Sequence, residues 1–226
     1  MSDGLRVDLH VHSHHSPDSR LDLDAIARQL PYVGLRGFAL TDHNTVAGHA
    51  EIPALRAKYP GTLVLPGVEV STREGHLLVY GVSEVPPLHR PIDETLAWAR
   101  ERNGVSVLAH PFRIAHGAGR RVAETSPVLG IETRNGHSSA ITNYQAEIVA
   151  ARRSLPGTGG SDVHELSDLG RAYTEFPSGV TTAEEMLESL RGHRIEPGGR
   201  SLRFAARFRL GLRTGVLLLA RGFRPI

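Results

Sequence analysis

The sequence predicts an α/β protein that folds as a compact or distorted β/α barrel. Three observations support this class: apolar, β-forming runs alternate with segments of helical spacing, the strand-like runs are mostly continuously apolar, and about seven such units fit within roughly 200 residues. Continuously apolar strands are typical of a parallel sheet that helices cover on its faces. An open, doubly wound sheet is the alternative that the same pattern allows.

The first half of the chain alternates strands with helices. Residues 5–11 are rich in β-formers and end at a polar cluster, whereas the apolar residues of 23–32 recur at helical spacing until Gly34 ends the helix. The Asn103-Gly104 pair ends a later helix. The other elements predicted in this half are strands over 37–41, 63–70 and 76–81, and helices over 46–59 and 92–102.

The second half continues the alternation. Thr182, followed three residues later by Glu185, is a capping-box pattern that starts the last predicted helix. Residues 113–126 have no clear periodicity, and we expect them to be irregular. The elements predicted here are strands over 105–109, 130–133, 157–161 and 172–176, and helices over 140–153 and 182–191.

Charge divides the chain into two parts. The 226 residues include 26 basic and 24 acidic side chains, but residues 200–226 contain seven Arg and no acid, so residues 1–199 carry a net charge of −5. We expect a folded domain over 1–199 and an arginine-rich C-terminal tail over 200–226. An acidic domain excludes a uniformly basic nucleic-acid-coating protein, and we do not expect duplex binding. The tail is expected to pack on the domain as an amphipathic helix, or to contact anionic lipid or nucleic acid.

The chain has no Cys, which excludes a disulfide-stapled miniprotein and agrees with a reducing compartment. Its N-terminus lacks a charged start followed by an apolar run, and its longest apolar stretch, residues 216–220, is too short to span a bilayer. We therefore expect a cytoplasmic protein without a transmembrane segment.

Thirteen histidines are present, and several follow predicted strands together with Asp or Glu. Strand ends in parallel β/α architectures meet at one rim, so we expect these side chains to lie close together. The metal-capable residues at five strand ends are His10 and His12, Asp42 and His43, Glu69, His110, and Asp162 and His164.

The residue types at these ends point to metal chemistry. In an extended segment residues i and i+2 point the same way, so His10 and His12 can reach one cation. Imidazole nitrogen and carboxylate oxygen without thiolate suit catalytic Zn, Mn or Fe, and disfavour a structural zinc finger. Glu69 can bridge two ions through its two oxygens, as in two-metal phosphate chemistry.

At these residues the sequence resembles the PHP family, named for polymerase and histidinol phosphatase. The resemblance covers roughly residues 5–195 and implies a distorted seven-stranded, TIM-like β/α barrel, phosphoesterase activity and a centre of three divalent metal ions. The motifs that carry it are Asp8-Leu9-His10-Val11-His12, Thr41-Asp42-His43, Gly67-Val68-Glu69-Val70-Ser71, Gly75-His76, Ala109-His110-Pro111 and Gly160-Ser161-Asp162-Val163-His164.

Carried over position by position, the family pattern implies three overlapping ligand sets. His14 and His15 lie close enough in sequence to compete with Asp18 for the third ion. The sets are His10, His12, Glu69 and Asp162 for the first ion, Glu69, His76 and His110 for the second, and Asp18, His43 and His164 for the third.

We predict hydrolysis of a phosphate ester by a hydroxide that bridges two of the ions. The substrate expected is a small phosphomonoester, a nucleoside phosphate or a short oligonucleotide. The predicted catalytic residues are Glu69, Asp162 and His164, and the predicted substrate-binding residues are Arg113, Arg134 and Asn135, because guanidinium groups bind phosphate oxygens bidentately.

Other functions stay open at this point. These are exonuclease-type processing of short single-stranded nucleic acid in either direction and a non-catalytic, metal-binding regulatory module. An amidohydrolase is chemically conceivable too, because a bridging hydroxide can attack a carbonyl.

Overall fold

A computed structural model describes residues 4–201 and contains nine strands and six α-helices in that range. The strands are β1 Leu5–Val11, β2 Gly37–Leu40, β3 Leu63–Ser71, β4 His76–Tyr80, β5 Val105–Leu108, β6 Gly130–Asn135, β7 Gly157–Gly160, β8 Ala172–Phe176 and β9 Glu196–Gly199. The helices are α1 Leu23–Gln29, α2 Ile52–Lys58, α3 Ile92–Glu101, α4 Gly119–Thr125, α5 Ala140–Arg152 and α6 Ala183–Arg191, and 3₁₀ turns span Leu30–Val33, Ala47–Glu51 and Leu166–Asp168.

Local signals start and stop several helices. The Asp22 side chain accepts from Asp24 N and caps α1, and Ser139 caps α5 in the same way. The predicted capping box at Thr182 is confirmed, because its side chain accepts from Glu185 N and the Glu185 carboxylate accepts from Thr182 N. Gly34, with a φ of 73°, ends the turn after α1.

The strands form one sheet in the order β7-β6-β5-β4-β3-β2-β1-β8-β9, and this sheet curls into a nearly closed barrel. The segment after β7 returns to β1: Asp162 N donates to His10 O at 2.8 Å and His12 N to Val163 O at 3.2 Å. The predicted barrel is confirmed, with nine strands where the resemblance implied seven.

The sheet is mixed, whereas the sequence predicted a parallel one. The pairs β1–β2, β2–β3, β5–β6 and β6–β7 are parallel, but β4 runs antiparallel to both neighbours and β8 runs antiparallel to β1 and β9. Residues 72–75 join β3 to β4, and a turn this short permits only a hairpin, because a parallel return needs a crossover of a dozen or more residues.

Two elements were not predicted. Helix α4 lies inside the segment 113–126 that was expected to be irregular, and it buries Val122 and Ala123. Strand β9 has the sequence Glu-Pro-Gly-Gly, which lacks β-formers, and its pairing with β8 explains why it is a strand.

Three apolar clusters pack the helices against the sheet. One joins β3, β4 and β5 to α3, α4 and α5, a second joins β1, β4 and β5 to α6, and a third joins β1 and β2 to α1 and α2. Between residues 4 and 201, no helix has the length and apolar character needed to cross a bilayer.

Candidate metal centre

The predicted strand ends do meet at one rim of the barrel. His10 comes from β1 and Glu69 from β3, while Asp162 follows β7. His76 is the first residue of β4, yet it joins them because β4 is antiparallel and pairs its first residue with Ser71, near the end of β3. The hairpin therefore adds a histidine to a rim that otherwise collects strand ends.

Glu69 is the hub of the site. Its side chain is buried, and each carboxylate oxygen faces its own group of histidines. Ring Nε2 atoms lie 3.0, 3.2 and 3.3 Å from Oε2 in His10, His12 and His43. On the other side, His76 Nδ1 lies 2.8 Å and His110 Nε2 lies 3.0 Å from Oε1.

Asp162 is a second buried carboxylate, and it lies beside the histidines that face Oε2 of Glu69. Its Oδ1 lies 3.4 Å from His12 Nε2 and 3.7 Å from His10 Nε2, and Arg113 Nη1 donates to its Oδ2. The backbone of Asp162 has a φ of 59°, a conformation that is uncommon outside glycine, and such strain concentrates at functional sites.

Asp18 forms a third group with histidines on the outer side of His12. Its Oδ2 lies 2.7 Å from His164 Nε2 and 3.5 Å from His43 Nε2. The structure thus brings Asp18 to the predicted third set. His14 and His15, the predicted competitors, face Glu51 instead.

The donor sets have the composition that divalent cations need. Four-residue groups whose ligand atoms lie within 4.8 Å of one another are formed by His10, His12, Glu69 and Asp162, and by His12, Asp18, His43 and His164. His12 Nε2 is buried between two carboxylates yet has no hydrogen bond of acceptable geometry. Converging imidazole nitrogens and carboxylate oxygens, among them a buried nitrogen without a hydrogen bond, fit metal ions such as Zn, Mn or Fe.

Burial and neighbouring charges set the protonation of the site. Burial alone would raise the pKa of Glu69, but its interactions with His43, His10 and His76 hold that pKa well below its usual range. Burial lowers the pKa of His12, but contact with Asp162 and Glu69 outweighs this effect and raises it to about 10.

The histidines are not all alike. Burial lowers the pKa of His43 to about 3, and burial with the nearby Arg113 charge lowers that of His110 to about 4. In the absence of metal, the site therefore balances buried carboxylates with protons on some imidazoles and leaves others neutral.

Glu132 of β6 is a functional residue that the sequence prediction missed. Its Oε1 lies 2.9 Å from His10 Nδ1, and its Oε2 accepts from His110 N at 2.8 Å and from Asn135 Nδ2 at 3.0 Å. A carboxylate on one ring nitrogen of a histidine fixes the tautomer and directs the other nitrogen toward a metal. The available signal was a lone acidic residue within a strand whose other members are mostly buried.

Two other carboxylates hold backbone rather than ligand rings. Asp42 accepts from Ser13 N at 2.5 Å and from Ser13 Oγ at 2.8 Å. Asp8 accepts from the backbone N–H groups of His10, Ser161 and Gly170. These contacts tie the segments after β1 and β7 to the rim.

The three predicted substrate-binding residues are placed differently. Arg113 lies in the site, paired with Asp162 and partly exposed. Asn135 is fully buried and donates to Glu132 and Asp162, so it orients carboxylates instead of facing substrate. Arg134 lies 3.3 Å from Glu147 of α5, and the structure does not bring it together with the metal-capable cluster.

Comparisons with known proteins identify the family of this chain. The family model described as PHP domain matches residues 8–134, and the one described as PHP-associated matches residues 140–195. Uncharacterized protein MJ1587 of Methanocaldococcus jannaschii is 28% identical over 151 residues, which cover 62% of this chain and 87% of that protein.

Two solved structures share the fold. A two-domain protein from Bacteroides vulgatus, described as containing a predicted PHP-like metal-dependent phosphoesterase, has a TM-score of 0.73 at 18% identity, covering 87% of this chain and 65% of that one. PsfC from Pseudomonas syringae has a TM-score of 0.69 at 20% identity, covering 97% and 99%. Because the PHP domain model alone matches more than half of the sequence, this chain belongs to the PHP domain family.

Proposed function

We propose that this protein hydrolyses phosphate esters at the Glu69 cluster, with divalent ions held by three overlapping ligand sets. The observation that carries the proposal is the arrangement around Glu69, where five histidine nitrogens lie within 3.3 Å of one buried carboxylate. The ligand sets proposed are the predicted ones: His10, His12, Glu69 and Asp162; Glu69, His76 and His110; and Asp18, His43 and His164.

Each group of residues has its own task in this proposal. When bound, the ions supply a lowered pKa for a water molecule and positive charge that offsets the charge of the phosphate. Glu69, Asp162 and His164 would bind the ions and so position them around the phosphate. Glu132 keeps His10 in the tautomer that leaves Nε2 free to face the site.

Arg113 is the proposed phosphate-binding residue. Its side chain is 26% exposed and its guanidinium touches Asp162, so it reaches both the cluster and solvent. A guanidinium binds two phosphate oxygens through parallel hydrogen bonds, and Lys lacks that geometry. Replacing Arg113 with Lys should therefore raise KM more than it changes kcat.

We propose a small phosphomonoester, a nucleoside phosphate or a short single-stranded oligonucleotide as the substrate. The net charge of −5 over residues 1–199 disfavours a track for duplex nucleic acid, which needs many basic phosphate contacts. Each of the three proposed substrates needs to place only one phosphate group at Arg113 and the Glu69 cluster.

The test is a phosphate-release assay on protein loaded with Mn, Zn or Fe. The panel contains p-nitrophenyl phosphate, nucleoside monophosphates, a nucleoside bisphosphate and a short single-stranded oligonucleotide. Turnover should fall by about 100-fold or more in Asp162→Asn and in His10→Ala. Glu124→Gln, which alters an exposed pair with Arg120 on α4, is the matched control and should keep full activity.

The outcomes separate the competing functions. Release of mononucleotides from the oligonucleotide, with little turnover of the bisphosphate, would favour exonuclease-type processing. Metal binding without turnover of any phosphate ester would favour a non-catalytic module, and hydrolysis of amides alone would favour an amidohydrolase. Activity that survives in both Asp162→Asn and His10→Ala would contradict the proposed site.

We also propose that the catalytic unit lies in residues 1–199 and that the arginine-rich tail over 200–226 either packs on the domain as an amphipathic helix or contacts anionic lipid or nucleic acid. The tail lies outside the described residues from 202 onward. Ser201 Oγ lies 3.0 Å from Asn143 Nδ2 on α5, so truncation after Ser201 preserves this contact better than truncation after Gly199. Phosphate release by the truncated protein should match that of the full chain; loss of folding would instead indicate that the tail packs on the domain.

A further inference from the structure

A second cluster of metal-capable side chains lies outside the centre described above. His14, His15 and Glu51, here called the outer cluster, place one ligand atom each within 4.8 Å of the others. His15 Nε2 lies 2.5 Å and His14 Nε2 lies 3.5 Å from the same oxygen, Glu51 Oε1. The centroids of the His14 and His15 rings are 4.1 Å apart.

The backbone holds the two neighbouring histidines on one side of the loop. Adjacent residues of an extended strand point in opposite directions, so this arrangement requires a turn. Ser16 N donates to Ser13 O at 3.0 Å and closes such a turn, and His14 N donates to Leu21 O at 2.7 Å. Ser13 itself is fixed to Asp42 by two hydrogen bonds.

The turn that carries Glu51 leaves room for the imidazole ring of His15. Glu51 is the last residue of the 3₁₀ turn Ala47–Glu51. Within that turn, a Cβ added at Gly48 would lie 3.0 Å from His15 Cδ2, closer than most Cβ contacts. Glycine at position 48 therefore allows the His15 imidazole to approach Glu51.

The outer cluster has the composition of an open metal site. Two imidazole nitrogens and one carboxylate oxygen are a ligand set of zinc sites that keep a further position for water. The side chains of His14, His15 and Glu51 are 44%, 24% and 42% exposed, so water can complete the coordination. His14 Nε2, at 3.5 Å from Glu51 Oε1, lies beyond ordinary hydrogen-bond distance, so a hydrogen bond to that oxygen does not account for its position.

We propose that His14, His15 and Glu51 bind an additional divalent cation of the Zn²⁺ type. The loop that carries the outer histidines also carries His12 and Asp18, whose side chains join the central groups. A cation at the outer cluster ties this loop to the turn after β2 and so restrains two residues of the centre. This site lies outside the ligand sets of the proposed function and does not depend on them.

The test counts Zn²⁺ per chain. Wild type and variants are dialysed to equilibrium against buffered free Zn²⁺, and bound metal is measured by elemental analysis. Glu51→Gln and His15→Gln should each lose one equivalent, because each removes a ligand while keeping a polar side chain of similar size. His89→Asn removes an exposed imidazole elsewhere, at a position where Asn tolerates the φ of 55°, and should bind as much Zn²⁺ as wild type.

A central variant separates this proposal from the proposed function. Asp162→Asn weakens the centre, and adding Glu51→Gln to it should remove one further equivalent. Residues 202–226 contain no His, Cys, Asp or Glu side chain and cannot supply that equivalent. Thermal melting of each apo variant checks that it folds, and His15→Gln replaces Glu51→Gln if the latter does not.

Equal Zn²⁺ content in wild type, Glu51→Gln and His15→Gln would overturn the proposal and leave a hydrogen-bonded surface cluster. Co²⁺ provides an independent readout, because its visible absorption reports coordination directly. The spectrum of the most weakly bound equivalent should disappear in the outer-cluster variants and persist in His89→Asn; its persistence in all of them would also overturn the proposal.

Discussion

Glu69 is the residue on which the electrostatics of the whole site depend. Its buried carboxylate faces histidines on both oxygens, and interactions with these histidines keep it ionised in spite of burial. The sequence identified Glu69 by its place after Gly67-Val68 at a strand end. It could not predict which histidines face which oxygen, because that depends on the packing of five separate segments.

Binding of divalent ions should release protons. Contact with Asp162 and Glu69 raises the pKa of His12 to about 10, so this imidazole is protonated at neutral pH in the metal-free protein, whereas metal ligation requires the neutral ring. Affinity should therefore rise as pH rises. Calorimetric titration with Zn²⁺ or Mn²⁺ in two buffers of different ionisation enthalpy measures the released protons.

The control for proton release is His12→Gln, which should release fewer protons per bound ion than wild type. Heats that do not change with the buffer would show that the site is already deprotonated and would contradict the prediction.

Replacing Glu132 with Ala should weaken metal binding by about 10–100-fold, because His10 Nδ1 loses the carboxylate that orients its ring. Glu132→Gln keeps an acceptor oxygen and should lose less metal affinity than Glu132→Ala. Glu147→Gln on the exposed face of α5 is the matched control. Competition with a coloured chelator measures these affinities, and equal values for Glu132→Ala and wild type would show that Glu132 does not orient the ligand.

At the scale of elements, the sequence predicted most helices and strands but not the direction of β4. The apolar run of β4 is compatible with either direction, and the short turn before it decides for the antiparallel one. Helix α4 and strand β9 were missed because Gly117 precedes α4, Gly119 begins it, and Pro197 interrupts β9. Contacts with the rest of the fold outweigh these weak local preferences.

Gly159 of β7 is needed for the close approach of two strands. A Cβ added at Gly159 would lie 2.1 Å from Tyr173 O, a backbone atom that cannot move alone. We expect Gly159→Ala to lower the free energy of unfolding by about 1–3 kcal/mol or more. Gly61→Ala, where a Cβ meets nothing within 4 Å, is the control. Urea denaturation measures both, and equal midpoints would show that β7 can shift without cost.

At the scale of the whole molecule, the metal-capable cluster joins segments far apart in sequence. Asp162 and His10 are far apart in sequence, yet Asp162 N donates to His10 O where the barrel nearly closes. Ligands that bind the folded state alone stabilise it, by about 2.7 kcal/mol at a concentration 100 times the dissociation constant. Metal bound here should therefore hold the two ends of the barrel together.

Removing metal should lower the thermal stability of the protein reversibly. We expect treatment with a chelator to lower Tm by several degrees and addition of Zn²⁺ or Mn²⁺ to restore it, since the ligand atoms converge only in the folded chain. The Asp162→Asn variant should show a smaller change. A Tm that chelation leaves unaltered would mean that the barrel closes equally well without metal.

The sequence by itself determined the fold class, the family and most residues of the metal-capable cluster, because these follow from local signals: apolar runs, capping residues and polar side chains at strand ends. Tertiary structure decided the rest. It placed Asp18 rather than His14 or His15 beside His164, directed Arg134 to α5, and turned Asn135 and Glu132 into orienting residues. Such outcomes depend on distances between segments that the chain brings together only when it folds, and no local pattern encodes them.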